Sequence, residues 1–351
     1  MTKSNSPPSD LPNTSAKRLL GLGALFVSLS ALGVWAVYHQ LPGTTLTLDT
    51  RLFSVQALMA FACLLGIYYL ADALRLYYTL KALDQDIALR HVFRLVFVNI
   101  FFSNITPMAT GGGVAQIWYL RRHGVRLGTA TAATTIRTII AVIFIFGLTP
   151  VFLLTLDHLN NQTIISRIGG LLVILITLYL AFFAILLLRT RWLIVPISAA
   201  LRWAYRVGLI KEAKHRHWQY KTRREMLRFS HCFAIYVKGS KGNLILSVLF
   251  TIVFLLSLFS FPALLIFMLG YDVNYILTLG LLVVTTFVMY FSPTPGASGI
   301  SEGLFGTFFA GILGANHLLL VTIGWRVLTI YLGMIVGLVV VQLELSRSGR
   351  I

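Results

Sequence analysis

Three ionisable side chains fall inside long apolar stretches of this chain. They are Arg137, Glu302 and Arg326. A charge in a membrane-spanning segment costs roughly 2.5–3.5 kcal/mol on insertion scales, so it is usually neutralised by a partner or retained for a function. An arginine fork binds a carboxylate or a phosphate through two parallel hydrogen bonds. The sequence therefore predicts that Glu302 pairs with one arginine and leaves the other to bind a phosphate; a purely structural salt bridge is the alternative.

Two Pro- and Gly-rich patches interrupt the apolar pattern, from Asn104 to Gln116 and from Phe291 to Gly303. In lipid, every backbone N–H and C=O needs a partner, so irregular backbone persists only where protein or a wet cavity shields it. Two such interruptions at comparable places in two halves of a chain indicate the binding site of a transporter built from inverted repeats. A pair of ordinary kinks without a ligand is the competing interpretation.

The first patch contains one proline and a run of three glycines. Pro107 is expected to end a helix by removing a donor and clashing with the preceding turn. The glycines permit unusual dihedral angles and close backbone approach, and they are Gly111, Gly112 and Gly113. A short helix is predicted to start near Val114, with Gln116 in its first turn. Its N-terminal amides would suit an anionic group such as a phosphate.

The second patch repeats this logic with a carboxylate added. Two prolines stop one half-helix, two glycines permit the turn, and a Ser-Glu-Gly sequence opens the next half-helix. The prolines are Pro293 and Pro295, the glycines are Gly296 and Gly299, and the opening residues are Ser301, Glu302 and Gly303. Both patches, with Arg137 and Arg326, form the predicted substrate-binding residues. Asp72 and Arg75 lie one turn apart and are interpreted as a structural pair at the membrane interface.

The composition predicts an all-helical polytopic membrane protein. Of its 351 residues, 57% are hydrophobic and 11% are charged, with a mean hydropathy of +0.83, whereas soluble proteins carry about 25% charged residues. A span needs about 20 apolar residues. Six full spans are predicted at Leu19–Tyr38, Phe53–Leu74, Ala130–Leu156, Ile168–Leu188, Leu244–Leu269 and Leu318–Leu343. Two broken segments, Val92–Leu120 and Tyr275–Leu313, are predicted to be re-entrant helical hairpins.

The basic residues predict the orientation of these spans. The net charge is +18, and 13 of the 29 basic residues lie in the segment Arg189–Lys241. Basic loops stay in the cytoplasm, so both termini are placed there, in the inner (plasma) membrane, and the two hairpins open to opposite sides. The basic segment, 189–241, interleaves aromatic residues with cations and is interpreted as amphipathic surface helices, with a solvated connector as the alternative. Nucleic-acid binding is disfavoured because no recognition motif accompanies the charge.

The remaining divisions are a disordered tail at residues 1–16, a membrane domain at 17–343 and a short tail at 344–351. The two patches resemble the motifs of the lysylphosphatidylglycerol synthase transmembrane family. The first resemblance extends from Pro107 through the glycines and Gln116 to Arg121, Arg122 and Gly124, and the second from Pro293 to Gly303. Arg137 and Arg326 are similar to basic positions of that family.

The resemblance implies the flippase-like part of proteins that synthesise and flip aminoacylated phosphatidylglycerol. Members often have Glu after the paired glycines, where this chain has Gly113 and Val114, so a role for that carboxylate is not carried over. The chain ends at Ile351, eight residues beyond the last predicted span. We therefore expect a member without the soluble aminoacyl-transferase domain, which does not make lysyl-lipid by itself.

Enzyme activities fit the sequence less well. The run Gly296-Ala297-Ser298-Gly299 is similar to the serine motif of rhomboid proteases, but His317 lies at the mouth of the next span and is a poor base for Ser298. A glycosyltransferase would need external carboxylates, and Asp49, Asp157 and Asp272 stand singly. His215 and His217 lack metal-ligand companions, and no Gly-Lys-Ser/Thr phosphate-binding motif is present.

The sequence thus predicts a non-enzymatic lipid flippase or transporter without a cofactor. Its substrate would be an anionic or zwitterionic phospholipid, or a polyprenyl-phosphate-linked lipid, whose head group crosses between leaflets. The alternative is a non-transporting membrane partner that presents lipid to a separate glycosyltransferase or lipid synthase.

Overall fold

The computed structural model describes residues 47–156 and 231–348, together with a few isolated positions outside those ranges. Every long regular element in these two ranges is a helix. The helices are α1 (Val55–Ala82), α2 (Leu89–Ile105), α3 (Thr110–Arg122), α4 (Leu127–Thr155), α5 (Lys241–Met268), α6 (Tyr275–Met289), α7 (Ile300–Phe309), α8 (Ala315–Arg326) and α9 (Leu332–Ser348). A π-helical turn, Val327–Tyr331, joins α8 to α9 in one continuous helical segment.

Four helices in the described residues are long and apolar enough to cross a membrane. They are Val55–Ala82, Leu127–Thr155, Lys241–Met268 and the continuous segment Ala315–Glu344. Each coincides with a predicted span and extends it by several residues at one or both ends. The predicted spans Leu19–Tyr38 and Ile168–Leu188, and most of the basic segment 189–241, lie outside the described residues.

The helices form two sets with the same internal arrangement, α1–α4 and α5–α9. In each set the first helix packs on the second, and the broken pair α2–α3 or α6–α7 packs against itself. Between the sets, α1 packs along α5, and the contact of α4 with α6 is matched by that of α9 with α2. The contact pattern is therefore kept when the two sets are exchanged, as expected of a repeat.

Small residues let the two sets approach closely. A Cβ atom added to Gly337 on α9 would lie 2.3 Å from the backbone oxygen of Phe97 on α2. One turn earlier, a Cβ at Gly333 would lie 3.1 Å from Ile100. In lipid, helices associate through van der Waals packing rather than through water release, so small residues at a crossing allow tight contact.

The aromatic core of the second set surrounds the short helix α7. Phe305 is fully buried and stacks on Phe309 at 4.2 Å and on Trp325 of α8 at 5.1 Å between ring centroids. Offset-stacked rings add about 0.5–1.5 kcal/mol to their burial. A helix of ten residues is marginal by itself, so this packing is what holds α7 beside α8.

The first break is shorter than the sequence predicts. Helix α3 begins at Thr110, four positions before Val114, and the three glycines are helical residues of its first turn. The unusual dihedral angles lie earlier, at Met108 and Ala109, which both have φ of 53°. The prediction that the glycines adopt unusual dihedral angles is therefore wrong, whereas the predicted close backbone approach is found at Gly111 and Gly112.

Candidate functional site

The two breaks meet each other. Pro107 of the first and Pro295 of the second form an isolated antiparallel β-bridge. After each proline the chain takes two consecutive residues in the left-handed region, Met108–Ala109 in the first break and Gly296–Ala297 in the second, with φ between 53° and 57°. The same turn thus occurs twice, at a Pro-x-Ala sequence followed by Thr or Ser.

The left-handed alanines are costly backbone for an L-residue. The conformation costs roughly 1–2 kcal/mol per residue outside glycine, and such residues persist where surrounding structure holds them, often at functional sites. The two breaks differ in exposure: Pro107, Met108 and Ala109 are exposed, whereas Pro295 and Ala297 are buried. The second turn is consequently held by protein and the first is open on one side.

The first break is fastened by hydroxyl groups and by close helix packing. The Gly111 amide donates to Thr106 Oγ1 at 2.8 Å, and that hydroxyl donates to the Phe102 carbonyl at 2.7 Å. A Cβ atom on Gly112 would lie 1.8 Å from Ser103 Oγ, whereas a Cβ on Gly113 would meet nothing within 4 Å. Gly111 and Gly112 are therefore the two glycines whose missing side chains let α3 lie against α2, since a Cβ on Gly111 would also lie 2.9 Å from the Phe102 backbone oxygen.

A buried charge cluster lies beside this break. We name Asp72, Arg75 and Arg137 the first-half cluster. Arg75 Nε donates to Asp72 Oδ1 at 2.6 Å, and Arg137 Nη2 donates to the same oxygen. Their exposed fractions are 3%, 7% and 3%. Two cations and one anion give this cluster a net charge of +1.

Neighbouring polar and aromatic groups complete the first-half cluster. Gln116 Oε1 accepts from Arg137 Nη1 at 2.8 Å, and Gln116 Nε2 donates to Asn99 Oδ1 at 2.5 Å. The Arg75 guanidinium lies over the Phe254 ring, 3.7 Å from its centroid. Polar contacts therefore run from α2 through α3 to α4 and α1, and α5 covers one cation.

The second break contains its own ion pair. We name Glu302 and Arg326 the second-half pair. Arg326 Nε lies 2.9 Å from Glu302 Oε1, and the exposed fractions of these side chains are 1% and 0%. Glu302 Oε2 accepts from the Gly299 amide at 2.7 Å and from Ser301 Oγ at 2.8 Å, while Arg326 Nη2 donates to the Gly296 carbonyl at 2.9 Å.

This pair has a structural role that the sequence interpretation kept open. Glu302 is the third residue of α7 and satisfies the amide that precedes the helix, which is half of a capping box. Arg326 ties the left-handed Gly296 to α8. Together the two side chains fix the turn of the second break and leave no net charge.

Several predicted site residues are brought together, and others are not. The prediction that Glu302 pairs with an arginine is confirmed, with Arg326 as the partner. Arg137 instead pairs with Asp72, so the prediction of an arginine left without a carboxylate is wrong. Two of the amides expected to face a phosphate, those of Gly111 and Gly299, donate to Thr106 and Glu302. Pro293 is exposed before the second turn.

The sequence analysis interprets Asp72 and Arg75 as a pair at the membrane interface. In the structure both side chains are instead buried together with Arg137. Asn99 was not singled out. A carboxylate inside an apolar helix was the available signal for Asp72, because such a residue demands a partner. The identity of that partner, 65 positions along the chain, has no local signature.

A third polar group lies at the end of the bundle where α1 begins and α5 ends. Asp49 precedes α1 and accepts from the Arg51 amide at 2.9 Å, and its other oxygen lies 3.3 Å from His317 Nε2. His317 Nδ1 is 2.8 Å from the Tyr271 hydroxyl. The hydrogen bond from the Arg51 amide is the main cause that lowers the pKa of Asp49, with the nearby charges of Arg51 and His317 acting in the same direction.

Comparison with known proteins gives two matches over nearly the whole chain. The family model described as the lysylphosphatidylglycerol synthase TM region matches residues 16–337. A protein named "UPF0104 membrane protein" from Archaeoglobus fulgidus is 25% identical over 323 residues, which covers 91% of this chain and 96% of that protein. The family model's match includes the two breaks and the buried arginines.

Proposed function

The chain belongs to the family of the lysylphosphatidylglycerol synthase transmembrane region, and from that premise we propose that it moves a lipid head group between membrane leaflets. It is a multi-pass membrane protein, which we place in the inner (plasma) membrane with both termini in the cytoplasm because most of its basic residues then face that side. The proposed activity is binding and movement, without a covalent step.

The observation that carries this proposal is the meeting of the two breaks at Pro107 and Pro295. Non-helical backbone at membrane depth is tolerated where it is buried in protein or lines a polar passage. Two such breaks in contact, one from each half of a repeat, form the arrangement in which secondary transporters place their substrate sites. Ordinary kinks in separate helices would have no reason to coincide.

The charges beside the breaks support an anionic head group. The first-half cluster keeps one positive charge in excess after Asp72 is counted, while the second-half pair is neutral. A buried excess cation is expensive in lipid, and a phosphate group would neutralise it through charge-assisted hydrogen bonds. We therefore propose that the phosphate of a phospholipid or polyprenyl-phosphate lipid docks at Arg75 and Arg137.

The test is a head-group accessibility assay in proteoliposomes. Fluorescently labelled phosphatidylglycerol, phosphatidylcholine or a polyprenyl-phosphate lipid is placed in both leaflets of separate vesicle preparations, and an impermeant reductant is added outside. Lipid flipping predicts that the reductant reaches inner-leaflet label in vesicles with the protein but not in protein-free vesicles. Equal protection in both, for anionic, zwitterionic and polyprenyl-phosphate lipids, would contradict transport. Lipid binding without flipping would favour the non-transporting partner.

A matched pair of glycine variants links transport to the first break. In Gly112→Ala the new methyl group would collide with Ser103 and press on Asn99, which holds Gln116, so we expect slower flipping. Gly113→Ala meets open space and should flip at the wild-type rate. Overpacking costs about 1–3 kcal/mol, so gel filtration and thermal unfolding must first show folded protein. Equal flipping rates in both variants would show that the packing of the first break does not affect transport.

A further inference from the structure

A cavity of about 180 Å³ lies between the two sets of helices, at the level of both breaks. Its walls come from α1, α2, α5, α6, α8 and the π-helical turn, and most of them are apolar. Asn104, close to the end of α2, and Met289, the last residue of α6, bring it beside the two breaks. Arg326 of the second-half pair forms part of the wall.

Arg326, which lines this cavity, carries a donor without an acceptor among the described residues. Its Nη2 donates to the Gly296 carbonyl, and its Nε faces Glu302. Its Nη1 is buried and has no hydrogen-bond acceptor among the residues that the structure describes. A buried donor without an acceptor costs about 1–3 kcal/mol, more when it is charged, so Nη1 is suited to an acceptor supplied by a ligand.

The charge at this place selects an uncharged acceptor. Glu302 already neutralises Arg326, so a phosphate arriving there would bring an uncompensated negative charge into apolar surroundings, which is strongly unfavourable. The neighbouring first-half cluster has one positive charge in excess and therefore favours an anionic group. Tyr68 lines the cavity and lies one turn from Asp72 on α1, so one lipid molecule can reach both places.

We propose that the cavity binds the uncharged, oxygen-bearing segment of a lipid, an ester carbonyl with the first methylene groups of its chain, and that Arg326 Nη1 donates to that carbonyl. This assignment rests on the proposed function, because the phosphate of the same lipid would lie at Arg75 and Arg137. The size agrees, because the cavity of about 180 Å³ is several times the roughly 30 Å³ that a water occupies in the liquid, so a carbonyl and a short chain segment fit.

The experiment compares ester and ether forms of one lipid. Dioctanoyl phosphatidylglycerol and the dioctyl ether analogue carry the same phosphate and similar chains, but the ether lacks the carbonyl acceptor. Calorimetric titration of the delipidated full-length protein in detergent should give a Kd about tenfold weaker for the ether, a ratio that corresponds to about 1.4 kcal/mol. Uncharged dioctanoylglycerol should also bind and should compete with the ester.

A cavity-filling variant and its control complete the test. Ile330 lines the cavity and is partly buried, so Ile330→Phe should weaken binding of the ester about tenfold and remove the difference between ester and ether. Ile335→Phe changes a side chain that is 63% exposed on α9 and should leave both constants unchanged. Thermal unfolding of both variants controls for folding.

The outcomes separate this inference from the proposed function. If the protein flips phosphatidylglycerol but binds ester and ether equally, and Ile330→Phe has no effect, the cavity assignment fails and transport stands. Binding of dioctanoylglycerol that depends on Ile330, in a protein that flips no lipid, would support the cavity and remove transport. Failure of dioctanoylglycerol to bind at all would show that only water satisfies Nη1 and would overturn the assignment.

Discussion

The two halves of the molecule neutralise corresponding arginines in different ways. Both Arg137 and Arg326 follow a Pro-x-Ala turn and lie on the helix after the half-helix. In the second half the half-helix itself supplies the carboxylate, Glu302. In the first half the half-helix supplies the neutral Gln116, and the carboxylate comes from α1 together with a second arginine.

The two breaks therefore differ in both charge balance and exposure. The second-half pair is neutral and fixes the turn beside it. The second break is accordingly buried. A cluster with an excess cation and an exposed turn has an incomplete charge balance, which an anion can complete. The two sets thus share a backbone plan, while their side chains balance the charge in the second half and leave one positive charge in excess in the first.

The largest expected effect comes from removing the two carboxylates in turn. Asp72→Asn leaves two buried guanidinium groups without a counter-charge, whereas Glu302→Gln leaves one. Breaking a buried pair costs roughly 3–5 kcal/mol, so Glu302→Gln should lower stability by about that amount and Asp72→Asn by more. Thermal unfolding in detergent measures the order. A larger loss of stability in Glu302→Gln than in Asp72→Asn would contradict the assignment of an excess positive charge to the first-half cluster.

Removing the arginines should reverse the order of the two halves. Arg326→Gln leaves Glu302, with no exposed side-chain surface, without its cation, and should cost roughly 3–5 kcal/mol. Arg137→Gln leaves Asp72 paired with Arg75 and should cost about 1–3 kcal/mol, the loss of a buried hydrogen bond.

A double-mutant cycle sharpens that prediction. Glu302 and Arg326 should show a coupling energy of about 0.5–3 kcal/mol, whereas Glu302 and Arg137, which do not share a contact, should be additive within about 0.5 kcal/mol. Comparable coupling for both pairs would mean that the two charge groups act as one.

The two turns differ at one position, and exchanging it tests their equivalence. Gly296 has φ of 57° where the first break has Met108 at 53°. Gly296→Ala should destabilise by roughly 1–2 kcal/mol, the cost of a side chain in the left-handed region. Met108→Gly removes that cost from an exposed side chain, but glycine loses more chain entropy on folding, so a gain of about 1 kcal/mol at most is expected. Thermal unfolding in which Gly296→Ala stabilises the protein and Met108→Gly destabilises it would contradict the shared turn.

The smallest effect on stability should come from replacing Asp49. This side chain is only half-buried, unlike those of the first-half cluster and the second-half pair. Because the pKa of Asp49 is lowered below 3.8 in the folded protein, its stabilising contribution is present above pH 3.8 and is lost as the pH falls through the lowered pKa. The difference in melting temperature between Asp49→Asn and its parent should therefore shrink toward zero below pH 3.8. Measuring both in a His317→Gln background removes the ion-pair partner of Asp49 and leaves the hydrogen bond from the Arg51 amide.

Much of the architecture was predictable because its causes are local. Apolar length predicted the four described spans, three of them to within three residues at each end and the first ending eight residues early, and proline and glycine located both breaks. The demand of a buried charge for a partner gave the pair of Glu302 with an arginine. The error at the first break also has a local cause: three glycines suggested a turn, but here they are helical and Gly112 serves packing, while Met108 and Ala109 turn the chain.

The sequence by itself therefore determined that this is a helical membrane protein with two interrupted segments and costly interior charges. The tertiary structure alone decided that the two breaks touch, that Asp72 rather than Glu302 neutralises Arg137, and that Arg326 lines a cavity. The physical reason is the distance along the chain over which each interaction acts. Propensity and hydropathy act over a few residues, whereas an ion pair between α1 and α4 depends on how whole helices pack, and that is fixed by complementary surfaces far apart in the chain.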